Sequence, residues 1–272
     1  MRWVREYRVS QVAPYINWLY FYHAWQMGGK PVDAKETLKA DAEEMLRHFD
    51  TCYHTHAVVR LLEAHSEGDD LVMEGFRFPL LRQQRPGSDD GACLCLADFV
   101  RPAASGESDR VGVFAASVDS MMERAPADDP YRRMLAQTIA DRLAEATTEL
   151  LHEEVRKQLW GYAPHESLTI EQMHAEEFQG IRPAVGYPSL PDTSVNFLID
   201  RLINMGEIGI RLTENGAMRP HASVSGLMIS HPKACYFNLG KIGQDQLEDY
   251  ARRRGIPLEM AKKFLATSLL RR

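Results

Sequence analysis

From Gly180 to Pro188 the chain reads Gly-Ile-Arg-Pro-Ala-Val-Gly-Tyr-Pro, a run that disfavours both helix and central strand. Pro183 and Pro188 hold φ near about −65° and lack donors, and Gly186 can take a positive φ or admit a ligand close to the backbone. The expectation is a rigid, preformed binding loop. Arg182 presents a planar fork of donors suited to a carboxylate, while the Tyr187 ring and free backbone groups suit a flat heterocycle. An amino acid joined to a purine would suit that pairing. An ordinary Pro/Gly-rich connection with a surface arginine has the same composition, so context must decide.

The remainder of the chain narrows the class. With 272 residues, 44% of them hydrophobic, it can bury a substantial core without metals or disulfides, and one domain is the simplest count. A net charge of −6 argues against nucleic acid as the main partner, and Arg252-Arg253-Arg254 and Arg271-Arg272 are read as solvated helix ends. No apolar leader follows Met1 and no run is long and apolar enough to span a bilayer, so a cytoplasmic protein is expected. Cys52, Cys93, Cys95 and Cys235 form no dense framework and fit reduced thiols. Cys52-x-His54-x-His56 would point three metal ligands to one face of an extended segment, with His48 or His65 completing four. No second metal-type spacing supports it, so a polar strand or turn is preferred and no metal is expected.

Periodicity predicts helices at about 11–27, 34–49 and 130–160, a hairpin from strands 57–62 and 71–74, and a buried strand at 111–115. Thr169 and Gln172 form a possible capping box for a short helix just before the binding loop. Ser194 is expected to cap a helix at 195–205. Strands at 208–212, 222–229 and 234–239 would form an antiparallel meander, and helices at 244–254 and 257–269, split by Gly255, would close the chain. Without βαβ alternation the fold class is α+β. No Gly-x-Gly-x-x-Gly turn of a Rossmann-type methyltransferase occurs.

Several blocks resemble, in order, the activation domain of cobalamin-dependent methionine synthase, which binds S-adenosylmethionine. They are Cys95-Leu96-Ala97-Asp98-Phe99-Val100, Asp141-Arg142-Leu143-Ala144-Glu145-Ala146, Leu159-Trp160-Gly161-Tyr162-Ala163-Pro164 and Gln179-Gly180-Ile181-Arg182-Pro183-Ala184. Ala222-Ser223-Val224-Ser225-Gly226, Ser230-His231-Pro232 and Asp245-Gln246-Leu247-Glu248-Asp249-Tyr250-Ala251-Arg252-Arg253 follow. Weaker likeness reaches Tyr15-Ile16-Asn17-Trp18, so the resemblance spans 1–272 as one domain, divergent over 1–94 and strong over 95–272. It implies a single C-shaped domain, a twisted antiparallel sheet surrounded by helices.

The resemblance also implies a site. Arg182 would clamp the ligand carboxylate, Glu145 and Glu176 would lie near its ammonium and sulfonium, and Ala184 and Gly186 would offer backbone to adenine. Tyr187, Tyr236 and Phe237 would supply aromatic contacts. Asp98 and Asp141 match further acids, and Asn17 stands where the family carries an aspartate expected to meet the amino group. Leu190-Pro191-Asp192-Thr193 replaces the family's Cys-Pro-acidic-His, and Arg219-Pro220-His221 replaces Trp-Pro-Gly. No Asp-x-His-x-x-Gly cobalamin ligation motif is present, so a corrin would arrive on another chain.

The implied role is a free-standing reactivation subunit of methionine synthase, a methyltransferase function in methionine biosynthesis. S-adenosylmethionine bound here would convert oxidised cob(II)alamin on a separate core into methylcobalamin, with flavodoxin or ferredoxin supplying the electron. Alternatives are reactivation of another corrinoid methyltransferase and a non-catalytic S-adenosylmethionine-binding regulatory module.

Overall fold

The fold is seen in a computed structural model that describes residues 1–87, 91–124 and 129–270. Its elements in chain order are β1 (Arg2–Arg8), α1 (Val9–Val12), α2 (Trp18–Ala24), α3 (Val32–Cys52), β2 (His54–Glu67), β3 (Asp70–Met73), β4 (Phe76–Pro79), β5 (Asp109–Val118) and α4 (Pro130–Glu154). There follow α5 (Ile170–His174), α6 (Asn196–Ile203), β6 (Arg211–Leu212), β7 (Met218–Arg219), β8 (Ser223–Met228), α7 (Gln244–Arg254) and α8 (Leu258–Phe264).

One antiparallel sheet organises the molecule, in the order β4-β3-β2-β5-β8, and it is strongly curled. β5 lies along 55–64 of β2, so β1 and β3 share the opposite edge of that strand at its two ends. The centre is buried on both faces. Along β5, Phe114, Ala116 and Val118 enter the core beneath α1 to α4, while Val111, Val113 and Ala115 enter the core beneath α6 and β3 to β4. A strand covered on both sides reads as a continuous apolar run, which is what 111–116 shows. A third cluster, including Leu81, Ile242, Leu247, Tyr250 and Leu265, seats α7 and α8.

The helix expected over 11–27 is broken. Pro14 lies in a 3₁₀ turn at Ala13–Tyr15, and Asn17 then caps α2 by accepting from Leu19 N–H at 3.1 Å. The 130–160 helix starts on Asp129, which accepts from Tyr131 N–H at 2.9 Å, and ends in a π-helical turn at Val155–Leu159. The helix expected over 195–205 begins later, at Asn196. Asp192 rather than Ser194 caps the 3₁₀ turn that precedes it, and the run ends at Asn204 in the left-handed conformation. Arg271-Arg272 lie outside the described residues.

The expected meander over 208–239 does not form. β6 pairs only with β7, β8 joins the main sheet against β5, and 234–239 is irregular. The reason is that both edges of β8 are taken. On the side away from β5, Ile181 exchanges two hydrogen bonds with Ile229, Leu227 N–H donates to Pro183 C=O, and Val185 N–H donates to Ser225 C=O. The binding loop therefore runs as an outer ladder against β8. Pro183 suits an outermost position because its acceptor faces the strand and it has no donor to leave unpaired.

That ladder needs two glycines. A Cβ on Gly226 would lie 2.2 Å from Pro183 O and 2.9 Å from Ala184 Cα, and a Cβ on Gly180 (φ +84°) would lie 2.4 Å from Ile229 O. Gly226→Ala should push the loop off β8 and destabilise the protein by about 2–4 kcal/mol in denaturant unfolding, against at most about 0.5 kcal/mol for alanine at an open surface site. A loss under about 1 kcal/mol would mean the close approach is not needed.

Candidate functional site

Against the inner side of that ladder, the loop, α4 and the α1–α2 connection enclose a cavity of about 740 Å³, within the range of small-molecule sites. Of the residues expected from sequence, Asn17, Glu145, Glu176, Arg182, Ala184, Tyr187, Tyr236 and Phe237 line it. Two do not. Gly186 sits in the loop's turn, donating its N–H to Leu190 C=O. Asp98 lies elsewhere, held bidentately by Arg82 at 2.8 and 2.6 Å and accepting from Cys95 N–H at 2.8 Å. Asp141 is also off the lining, 3.4 Å from His221 Nδ1.

Arg182 is placed by its backbone and its guanidinium together. Its N–H donates to Tyr236 Oη at 2.9 Å, which leaves that phenol's own proton available. Nη2 donates to Glu149 Oε1, and Nη1 donates to His152 Nδ1 at 3.2 Å. The guanidinium lies 5.2 Å from the Phe178 ring centroid, and that of Arg156 lies 4.5 Å from the same ring. Arg156 is fully buried and forked onto Glu166 at 2.6–3.0 Å.

His152 is buried, and that burial, with Arg182 and Arg156 adding to it, holds its pKa well below the ordinary histidine value. The neutral ring thus accepts from Arg182 on Nδ1 and donates from Nε2 to Tyr162 Oη at 3.2 Å.

Three carboxylates face the cavity in different electrostatic states. Glu145 is paired with Arg142 at 2.7 and 3.1 Å and accepts from Tyr187 Oη at 3.3 Å. Glu149 is paired with Arg182; burial raises its carboxyl above the usual range and Arg182 opposes the rise. Glu176 has no ion-pair or side-chain hydrogen-bond partner among the described residues. It is held at φ +60°, and burial raises its pKa. A strained and unpaired carboxylate beside a cavity is poised to receive a cation.

Glu149 and His152 were not foreseen from sequence. The signal was present, since Glu145, Glu149 and His152 recur at helical spacing on α4 and put three polar groups on one stripe of an otherwise apolar face. The altered segment Leu190 to Thr193 is packing. Leu190 is buried, and Asp192, also buried, accepts from Ser194 N–H at 2.8 Å, Tyr250 Oη at 2.7 Å and Arg254 Nη1 at 3.0 Å, tying α7 to the loop's end. The segment Cys52 to His56 holds no metal-type cluster among the described residues. Cys52 ends α3, and His56 Nε2 pairs with Asp119 at 2.9 Å.

Comparison with known proteins agrees over nearly the full length. The family model for the vitamin B12 dependent methionine synthase activation domain matches residues 8–255. A crystal structure of the MetH reactivation domain bound to AdoHcy is similar with a TM-score of 0.93 and 35% sequence identity, over 100% of this chain and 91% of that one. The chain belongs to the family of vitamin B12-dependent methionine synthase activation domains.

Proposed function

We propose that the cavity binds S-adenosylmethionine and presents its methyl group to reduced cobalamin carried on a separate methionine synthase core. The observation that carries this reading is the charge pattern of one cavity. Arg182 and the unpaired Glu176 line the same space, with the rings of Tyr187, Tyr236 and Phe237 beside them. S-adenosylmethionine has a carboxylate for Arg182, a cationic ammonium and sulfonium end for Glu176, and a flat purine for the rings. The structural relative was solved with AdoHcy, the demethylated form of this ligand, which supports the same site.

The chemistry asks for positioning rather than proton transfer. The S–CH₃ bond breaks with its electron pair remaining on sulfur, and the new bond to carbon uses the pair on Co(I). S-adenosylhomocysteine is left, and no proton moves. An external one-electron donor of the flavodoxin or ferredoxin type must first reduce Co(II). What this chain contributes is orientation. Arg182 fixes the carboxylate, Glu176 favours the cationic end, and Ala184, in the ladder on β8, offers a fixed backbone edge to the adenine. Gly186 and Asp98 are not assigned ligand contacts.

Asn17 bears on affinity. Its Oδ1 is engaged in the α2 cap, and it brings no charge to the ligand's ammonium. Asn17→Asp keeps the cap and adds that charge, so calorimetry should show S-adenosylmethionine binding about 3- to 10-fold tighter, with the gain shrinking at high salt. An unchanged affinity would remove Asn17 from the ammonium end.

The test of the function combines this protein with a cobalamin-loaded methionine synthase core, a reducing system and S-adenosylmethionine. Cob(II)alamin absorbance should give way to methylcobalamin with stoichiometric S-adenosylhomocysteine. Arg182→Ala should lower the rate at subsaturating ligand by about 10- to 100-fold, the loss expected for a charge-assisted contact. Binding with altered core activity but no S-adenosylhomocysteine would instead identify a regulatory module.

A further inference from the structure

The site contains one ion pair that needs its own explanation. Glu149 comes from α4 and Arg182 from the outer ladder on β8, and both line the cavity. Both side chains are nearly shut off from solvent, at 13% and 14% exposure. Glu149 hydrogen-bonds to Arg182 alone among the described residues, and its second oxygen, Oε2, is buried with no partner. A buried carboxylate with an orphaned oxygen is costly, so stability alone is a poor reason to retain this arrangement.

The pair does constrain the guanidinium. A guanidinium has five N–H donors, of which Glu149 takes one on Nη2 and His152 one on Nη1, while Phe178 lies beside it. Among the described residues three donors remain uncommitted on a group that lines the cavity. Because Oε2 is buried, it does not reach an incoming ligand. Glu149 itself lines the cavity, but its Oε1 is engaged by Arg182 and its Oε2 is buried, so its hold on the guanidinium is what it offers a ligand.

We infer that Glu149, backed by His152, is a positioning residue that locks the Arg182 guanidinium in the orientation a ligand carboxylate requires, and so sets the site's preference for ligands bearing that carboxylate. This rests on reading the cavity as an S-adenosylmethionine site. Without Glu149 the long arginine side chain regains rotamer freedom, and that freedom must be lost again on each binding event. The penalty falls only on ligands that use Arg182.

The test compares S-adenosylmethionine with its decarboxylated form, which keeps the ammonium, sulfonium and purine. Calorimetric titration of the wild type should show a preference of about 10- to 100-fold for the carboxylated ligand. Glu149→Gln should weaken S-adenosylmethionine about tenfold and leave the decarboxylated ligand within about twofold. Glu149→Asp keeps the charge but shortens its reach, and should show a smaller loss of the same selective kind, so the test survives if the glutamine variant fails to fold. In an Arg182→Ala background, Glu149→Gln should have no further effect on either ligand, because its action passes through the missing guanidinium.

Equal losses for both ligands, or a loss that persists in the Arg182→Ala background, would overturn the inference by making Glu149 a direct contact or a general support. Unchanged selectivity in both Glu149 variants would overturn it too. Failure of the wild type to bind either ligand is a different result, because it removes the reading of the cavity itself and this inference with it.

Discussion

Four main-chain hydrogen bonds lay residues 181–185 along the outer edge of β8, and the rest of the site depends on them. They convert a proline- and glycine-rich run into an extension of the sheet, and the absence of side chains at Gly180 and Gly226 lets the two backbones meet. Because β8 is held by β5 and β5 by β2, Arg182 and Ala184 inherit the rigidity of the central sheet rather than the mobility of a surface loop. The same occupancy leaves 234–239 without an edge to join. That segment instead brings Tyr236 beneath Arg182, where its hydroxyl accepts the arginine N–H.

Behind the ladder is an interior unusually rich in charge. Arg156 with Glu166, and Arg182 with Glu149, bring two guanidiniums beside the single ring of Phe178, with His152 kept neutral between them. A buried network of this kind is stabilising only when its members are satisfied, and here it is not complete, since Arg156 Nη1 and Glu149 Oε2 lack partners among the described residues. The imperfection lies next to the cavity, and the orphaned atoms accompany a guanidinium held with unused donors. The energetic cost is located where orientation is useful, which is the pattern expected of a binding site rather than of a core.

The loop and the fold class were legible in the sequence for physical reasons, whereas most of the lining came from the family resemblance. Pro183 and Pro188 exclude a helix and a central strand because they fix φ and lack a donor, and the apolar run at 111–116 announces a strand buried on both faces. Strand pairing was not legible, because 234–239 has strand-like composition and only the tertiary arrangement reveals that β8 has no free edge. The break at Pro14 to Asn17 depended on weighing one proline and one cap against a long apolar stripe. Asp98 was carried to the site by its family motif, whereas its bonds to Arg82 and to Cys95 N–H make it a local clamp away from the cavity. Glu149 and His152 were hidden because a polar stripe on a helix usually faces water. Here that stripe faces a cavity, which only the packing of α4 against the loop makes apparent.

The central claim is that one cavity between α4 and the ladder on β8 holds the amino-acid and purine ends of an S-adenosyl ligand, with Arg182 on the carboxylate. The most direct measurement is a crystal structure of this protein with S-adenosylhomocysteine. The account predicts the ligand carboxylate within hydrogen-bonding distance of the Arg182 guanidinium, Glu149 still bound to that guanidinium, and the adenine against the backbone at Ala184. A ligand bound outside this cavity, or one whose carboxylate is held by another cation while Arg182 stays uninvolved, would contradict it.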